Sequence, residues 1–299
     1  MNHRTFGLLR LFAAAIPSML IFGNQPLHAA ETSVATLAGS THFHGIAVDA
    51  GDTSRLYLAT HHGVYAVALD GSADRISANR NDYMGFTPHP TDPNVLFGSG
   101  HPTGGGNMGF ITSTNRGKTW KKLSDGVDGP VDFHQMDVSK ADPSIIVGMS
   151  GGLQMSRDGG HSWTKIGPGP AGLIDLAASA KDINTFYAAT QRGLAKSTDG
   201  GKSWKPAHLV SRTATMVHVT SDATVYAYQI GTGLIKTSEP KLVWPVVNNN
   251  FGQSYIAHLA VDPANTKLLY AITGNQQTRA QSILSSLDGG KTWKNLGEK

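Results

Sequence analysis

Apolar and polar residues alternate along short segments that recur through most of the chain, and turns rich in Asp separate these segments. An alternation of period two places one face of a β-strand in a core and the other face in solvent. Six units, each a strand, a turn and a second strand, lie at residues 44–60, 84–100, 134–150, 174–190, 217–229 and 257–273. The pattern predicts an all-β protein built from six similar units.

An eight-residue motif with hydroxyl, glycine and Trp positions follows four of these units. It reads STNRGKTW at 113–120, SRDGGHSW at 156–163, STDGGKSW at 197–204 and SLDGGKTW at 286–293. We expect its hydroxyl and acidic side chains to bond the amides of a hairpin turn, its glycine to relieve a positive φ, and its Trp to pack between sheets. The predicted structural residues are Ser113, Asn115, Trp120, Ser156, Asp158, Trp163, Ser197, Asp199, Trp204, Ser286, Asp288 and Trp293.

This motif is that of the Asp-box, or BNR repeat, and its spacing matches one propeller blade. A fifth version at 237–244 lacks the glycines, and the five versions start 40 to 49 residues apart. Because a four-stranded blade repeats every 40–45 residues or so, the spacing predicts a six-bladed β-propeller with Asp-box hairpins. The predicted blades are 40–80, 81–127, 131–168, 171–208, 213–248 and 254–296. We expect a spare strand at 33–37 to pair into the last blade and close the ring.

The first thirty residues differ from the rest of the chain. Arg4 and Arg10 form a basic start, residues 11–22 are almost wholly apolar, and small residues end the segment at Ala29 and Ala30. Since a membrane-spanning helix needs about 20 apolar residues, this segment is interpreted as a cleaved signal peptide, 1–30, ahead of a single domain, 31–299. The predicted location is the periplasm or the outside of the cell, with no membrane span after cleavage.

Charge and composition argue against several functions. The mature chain has 23 Lys and Arg residues against 21 Asp and Glu residues, an excess too small to predict a nucleic-acid surface. The glycines at 104–106 precede a strand rather than a helix, so no nucleotide cofactor is expected. With no cysteine in the chain, thiolate chemistry and thiolate metal sites are excluded.

Histidines and carboxylates concentrate at one predicted rim of the propeller. Superposed innermost strands align His42-Phe43-His44, Asp82-Tyr83-Met84 and Asp132-Phe133-His134. By strand alternation, the aromatic residues point between blades and their neighbours point to the axis. His61, His62 and His101 are expected in turns above the same rim. By the same alternation, His218 and His258 should point away from the axis.

Two kinds of chemistry fit this predicted pocket. Imidazole, carboxylate and thioether groups suit a transition metal, copper before zinc, with His42, His44, His61, His62, Met84, His101 and His134 as candidate ligands. Alternatively, Asp82 and Asp132 act as the acid and base of a glycoside hydrolase. A third interpretation is a wet polar channel with no ligand.

The mature chain resembles exported Asp-box propellers of a bacterial glycosyl hydrolase group within the sialidase- and sortilin-like propellers. The resemblance rests on short motifs at 42–45, 61–63, 84–86, 100–102 and 133–134. It implies a propeller with a small-molecule or carbohydrate ligand. A true sialidase is not expected, since the chain has no Arg-Ile-Pro motif. The functional hypotheses are a metal-binding protein, a carbohydrate hydrolase and a propeller that docks a protein partner.

Overall fold

A computed structural model describes Met1 and residues 31–239, 241 and 243–298. The predicted signal peptide lies outside the described residues, apart from Met1. The described chain is almost entirely β-structure, in one five-stranded and five four-stranded sheets whose neighbouring strands are antiparallel. Each sheet is one blade.

The first three blades carry the histidine-rich rim. Blade 1 contains β1 (Thr32–Ser33), β2 (Phe43–Val48), β3 (Arg55–Thr60), β4 (Gly63–Ala68) and β5 (Ser72–Arg75), with a helix, α1 (Val34–Ala38), between β1 and β2. Blade 2 contains β6 (Asp82–Pro88), β7 (Leu96–His101), β8 (Phe110–Ser113) and β9 (Lys121–Ser124). Blade 3 contains β10 (Gln135–Val138), β11 (Ile146–Met149), β12 (Leu153–Ser156) and β13 (Thr164–Gly167).

The last three blades complete the ring. Blade 4 contains β14 (Leu173–Ala178), β15 (Phe186–Thr190), β16 (Gly193–Ser197) and β17 (Lys205–Pro206). Blade 5 contains β18 (Ala214–Val219), β19 (Thr224–Gln229), β20 (Gly233–Ser238) and β21 (Val246–Asn248). Blade 6 contains β22 (Ser254–Val261), β23 (Leu269–Asn275), β24 (Gln281–Ser286) and β25 (Lys294–Asn295). The innermost strands β2, β6, β10, β14, β18 and β22 contact one another in that order, and β22 contacts β2. The prediction of an all-β, six-bladed propeller is confirmed.

The ring closes differently from the prediction. The expected strand at 33–37 is wrong, because only Thr32–Ser33 is extended, and it pairs with β5 of blade 1. The Ser33 side chain caps the following helix by accepting a hydrogen bond from the Thr36 amide at 3.2 Å. Val34 and Leu37 of α1 then bury their side chains in a core shared by blades 1 and 6. Closure therefore depends on helix packing rather than on a shared sheet.

A register shift recurs near the start of the innermost strands. It lies between Phe43 and Gly45 in β2, and equivalent shifts occur in β6, β14, β18 and β22. A bulge of this kind interrupts the alternation of side chains, because one extra residue turns all later side chains to the other face. The direction in which polar residues point along these strands therefore changes at the bulge.

The four complete eight-residue motifs form the same turn between the third and fourth strands of their blades. In the turn of blade 3, Ser156 Oγ accepts a hydrogen bond from the Gly160 amide at 2.7 Å and donates one to Asp158 Oδ1 at 2.7 Å. Trp163 Nε1 donates to the Gly160 carbonyl at 3.2 Å. Hydrogen bonds lower the pKa of Asp158 to about 2. Those from Ser162 have the largest effect, and the one from Ser156 adds to it. The turn is thus closed by local hydrogen bonds.

The fifth version of the motif does not repeat this turn. Glu239 Oε2 accepts hydrogen bonds from Ser179 and Ala180 of blade 4 at 3.1 and 3.2 Å, and within the described residues it makes no hydrogen bond to its own turn. Trp244 Nε1 donates to the Ala207 carbonyl, also in blade 4, at 2.9 Å. This turn therefore connects neighbouring blades.

Candidate functional site

The first cluster of polar side chains, called group A, consists of His44, His61 and Asp82. His44 and Asp82 lie on β2 and β6, and His61 lies in the turn between β3 and β4. Asp82 Oδ2 is 2.7 Å from His61 Nδ1, and Asp82 Oδ1 is 3.7 Å from His44 Nε2. His44 Nε2 is 3.3 Å from His61 Nδ1. One ligand atom from each residue fits within a span of 4.8 Å.

The second cluster, called group B, consists of His101, Asp132 and His134. Asp132 Oδ2 is 3.1 Å from His101 Nε2 and 2.5 Å from His134 Nε2. Asp132 is 10% exposed, whereas His101 and His134 are 39% and 52% exposed. Its three ligand atoms also fit within 4.8 Å. In group B the two imidazoles are therefore exposed to solvent, whereas the carboxylate of Asp132 is largely buried.

Groups A and B are neighbours across one pair of strands. Asp82 of group A and His101 of group B lie directly opposite each other in the register of β6 and β7. The glycine-rich loop after β7 folds back over this edge, and the Gly106 carbonyl accepts a hydrogen bond from His101 Nδ1 at 2.9 Å. The loop thus fixes the orientation of the His101 ring.

The structure brings some of the predicted metal ligands together in groups A and B and leaves the others outside them. Four of the seven candidates, His44, His61, His101 and His134, belong to groups A and B. His42 and His62 are exposed, with ring centroids 5.6 and 6.4 Å from that of His61. Met84 is buried, with 9% of its surface exposed, and lines the central cavity. The single pocket expected from the sequence is therefore two adjacent groups flanked by two exposed histidines.

A cavity of about 240 Å³ lies along the inner strands of all six blades. Its wall includes His44, Met84 and His134 at the histidine-rich rim. Burial, and after it the nearby His61, lowers the pKa of His44 to about 4. The hydrogen bond with Asp132 raises the pKa of His134. The environment therefore favours the neutral form of the His44 imidazole and the protonated form of the His134 imidazole.

Further ionisable side chains line the cavity, among them two histidines of blades 5 and 6. The prediction that His218 and His258 point away from the axis is wrong, because both lie in the cavity wall together with Asp175. Register shifts just before Met216 and at His258 turn these side chains inward. Burial lowers the pKa of His218 and of His258 to about 4. Burial raises the pKa of Asp175 to about 7.

Asp175 and the buried Asp137 were not among the residues predicted from the sequence. Asp137 Oδ2 accepts a hydrogen bond from the Ala178 amide of blade 4 at 2.9 Å and bonds Lys140 Nζ at 2.5 Å. Asp175 Oδ2 likewise accepts a hydrogen bond from the Val217 amide of blade 5 at 2.9 Å. Both carboxylates join adjacent blades. The sequence offers one signal for Asp175, since it is a single acidic residue within the otherwise apolar strand β14.

None of the described helices is long and apolar enough to cross a membrane.

No protein-family model matches the chain. Among curated proteins, it is 26% identical to the xyloglucanase Xgh74A of Acetivibrio thermocellus, covering 96% of this chain and 43% of that protein. It is 25% identical to a probable oligoxyloglucan-reducing end-specific xyloglucanase of Neosartorya fischeri, covering 85% of this chain and 34% of that protein. The chain spans less than half the length of these relatives.

Solved structures show the same fold. A GH74 enzyme of Niastella koreensis superposes with a TM-score of 0.59 at 20% identity, covering 85% of this chain and 45% of that one. YCF48 of Cyanidioschyzon merolae superposes with a TM-score of 0.51 at 16% identity, covering 85% and 84% of the two chains. The chain is a propeller similar to glycoside hydrolases, and the curated relatives reported above are xyloglucanases rather than sialidases.

Proposed function

We propose that this protein is an exported propeller that binds and cleaves a carbohydrate at the histidine-rich rim. The observation that carries the proposal is its similarity to a xyloglucanase over 96% of the chain. This similarity favours the carbohydrate hypothesis of the sequence analysis over the hypothesis that metal binding is the main function. The ligand class is therefore a glycan, and the reaction is hydrolysis of a glycosidic bond.

The rim offers the groups that such a reaction needs. Asp82 and Asp132 come from adjacent blades, and both are largely buried, with 20% and 10% of their side chains exposed. Paired carboxyl groups cleave glycosidic bonds when one protonates the leaving oxygen and the other assists attack at the anomeric carbon. The cavity of about 240 Å³ that is lined by their neighbours His44 and His134 has room for part of a sugar.

The proposed site lies within one propeller ring. The relatives are more than twice as long as this chain, so their sites are not transferred here residue by residue. Instead, the proposal rests on carboxylates and imidazoles that blades 1 to 3 bring together. Residues of this type also hydrogen-bond the hydroxyl groups of sugars.

Export is part of the proposal. It is supported by the N-terminal signal-peptide pattern and by the structural likeness to the extracellular domain of a two-component system of B. thetaiotaomicron, at a TM-score of 0.55 and 14% identity. The finer kinship with Asp-box propellers is supported by the four turns with a common set of hydrogen bonds.

The test is a panel of xyloglucan, other β-glucans and their oligosaccharides, assayed for binding and for new reducing ends. We expect turnover of at least one member, and a loss of about 100- to 10,000-fold in Asp82→Asn and Asp132→Asn. Asp128→Asn is the matched control, because Asp128 is exposed and its carboxylate bonds Lys165 alone among the described side chains. A panel without binding or turnover, or full activity in both rim variants, would reject the proposal.

A metal-binding function is the second candidate. The observation that favours it is the arrangement of two imidazoles and one carboxylate in each of groups A and B. The third hypothesis, protein docking, stays a prediction.

A further inference from the structure

We propose that the rim binds two divalent transition-metal ions, one in group A and one in group B. Each group would supply two imidazole nitrogens and one carboxylate oxygen to its ion. This inference goes beyond the carbohydrate proposal and does not depend on it. Four features of the rim support it: the spacing of the ligand atoms, the orientation of His101, two buried carboxylate oxygens and the separate ligands of the two groups.

The spacing of the ligand atoms suits one ion in each group. Imidazole and carboxylate ligands lie about 2.0–2.2 Å from zinc, so two ligands of a tetrahedral ion are about 3.3–3.5 Å apart. In group A, the nitrogen and oxygen atoms are 2.7, 3.3 and 3.7 Å apart. In group B, Asp132 Oδ2 lies 3.1 and 2.5 Å from the two nitrogens. Small movements of side chains would bring all three atoms of each group to bonding distance.

The orientation of His101 supports a cation in group B. Its Nδ1 must donate the hydrogen bond to the Gly106 carbonyl, because a carbonyl oxygen only accepts. In the neutral tautomer, Nε2 then turns its lone pair toward Asp132 Oδ2, which is itself an acceptor, at 3.1 Å. A metal ion between them would bind both lone pairs. Metal-binding histidines typically donate their other ring nitrogen to a carbonyl or carboxylate in this way.

Both carboxylates have an oxygen that needs a partner. Asp82 Oδ1 and Asp132 Oδ1 are buried and form no hydrogen bond within the described residues. A buried carboxylate oxygen without a partner is costly, because it has lost its hydration. A cation bound by the carboxylate would offset the charge that its two oxygens share, and so lower the cost of burying Oδ1. A buried carboxylate oxygen without a partner occurs in both groups, which supports the same kind of ligand in each.

The two groups have separate ligands, although the register of the strands makes them neighbours. Asp82 and His101 face each other across β6 and β7 but belong to different groups, and groups A and B share no residue. The exposed His42 and His62 lie outside group A, beside His61. Three protein ligands per ion leave a coordination position open, which is typical of reactive rather than structural metal sites. Imidazole-rich sites without thiolate suit zinc or copper(II).

The test is titration of the full chain, stripped of metal by a chelator, with Zn(II) and separately with Cu(II), followed by calorimetry and metal analysis. We expect two ions per chain. His44→Ala should retain one ion, His134→Ala should retain one, and the double variant should retain none. His42→Ala and His161→Ala should each retain two ions. His42 belongs to neither group, and His161 is exposed in the turn between β12 and β13.

Several results would overturn the inference. They are no binding by the unmodified chain, binding of one ion only, which both His44→Ala and His134→Ala abolish, or loss of an ion in His42→Ala. Thermal unfolding of each variant shows whether it is folded, and His44→Gln and His134→Gln replace any alanine variant that is not. Electron paramagnetic resonance of the Cu(II) form gives a second readout, with imidazole nitrogen couplings expected from both sites. Since no glycan is present, these outcomes are separate from those of the carbohydrate test.

Discussion

At the level of single residues, the cavity wall shows how one extra residue in a strand changes the direction of a side chain. Strict alternation predicted that His218 and His258 point away from the axis. The bulges in β18 and β22 shift the register by one residue and bring both into the cavity wall. Because the period of a strand is two, a shift of one residue reverses the face. No residue type in the sequence marks these bulges.

Two side chains of the cavity wall, His218 and Asp175, make the free energy of unfolding depend on pH. The pKa of His218 is about 4 in the folded protein against an ordinary value of 6.5. Between these values the unfolded chain binds a proton that the folded chain does not, so the free energy of unfolding decreases as pH falls. Asp175, with its pKa raised from 3.8 to about 7, has the opposite effect, because here the folded chain holds the proton.

We therefore predict that His218→Gln weakens the acid sensitivity of the fold. The variant lacks this partly buried imidazole, so its free energy of unfolding should decrease less between pH 6.5 and pH 4 than that of the unmodified protein. Urea unfolding at several pH values measures this difference. The contribution of Asp175 cancels because both proteins contain it. His161→Gln, an exposed position, should keep the original pH dependence, and an unchanged slope in His218→Gln would contradict the prediction.

At the level of elements, local bonds could be anticipated from the sequence, and contacts between elements could not. The residues of groups A and B were all candidates, because they align on superposed strands and turns. Their division into two groups depends on the pairing of Asp82 with His101 and on the path of the loop that holds His101. Hydrogen bonds across blades, such as those of Glu239 to blade 4, also lie beyond a local pattern.

The turns of the eight-residue motif should contribute to stability through their serine. Ser156 is fully buried, and its Oγ is the partner of the Gly160 amide. In Ser156→Ala that amide loses its acceptor, and we expect the free energy of unfolding to decrease by about 1–3 kcal/mol. Chemical denaturation measures the change. Ser282→Ala, at an exposed position of β24, is the control, and equal stability of the two variants would contradict the prediction.

At the level of the whole molecule, the number of blades followed from repeat spacing, but the closure of the ring did not. Spacing is periodic along the sequence, whereas closure joins residues more than two hundred positions apart. The strand predicted at 33–37 is instead mostly a helix whose Val34 and Leu37 bind both end blades together. A short apolar segment has the same appearance in either conformation, and its tertiary contacts decide between them.

A glutamine also holds the first and last blades together, which leads to a prediction about closure. Gln281 of β24 accepts a hydrogen bond from the Phe43 amide at 2.8 Å and donates one to the Phe43 carbonyl at 3.1 Å. Phe43 is 2% exposed, so in Gln281→Ala its backbone groups would lose these partners without gaining full hydration. We expect the free energy of unfolding to decrease by about 1–3 kcal/mol for each of the two groups left unpaired.

Thermal and urea unfolding of Gln281→Ala test whether this contact stabilises the closed ring. Gln277→Ala is the matched control, because Gln277 lies in the exposed turn that precedes β24, and its stability should equal that of the unmodified protein. Hydrogen exchange of the β2 amides gives a local readout. Because β2 contacts β22 and β23 at the junction of the end blades, exchange there should accelerate in Gln281→Ala more than in β14 on the opposite side. Uniform acceleration in both strands, or none, would show that the glutamine does not close the ring.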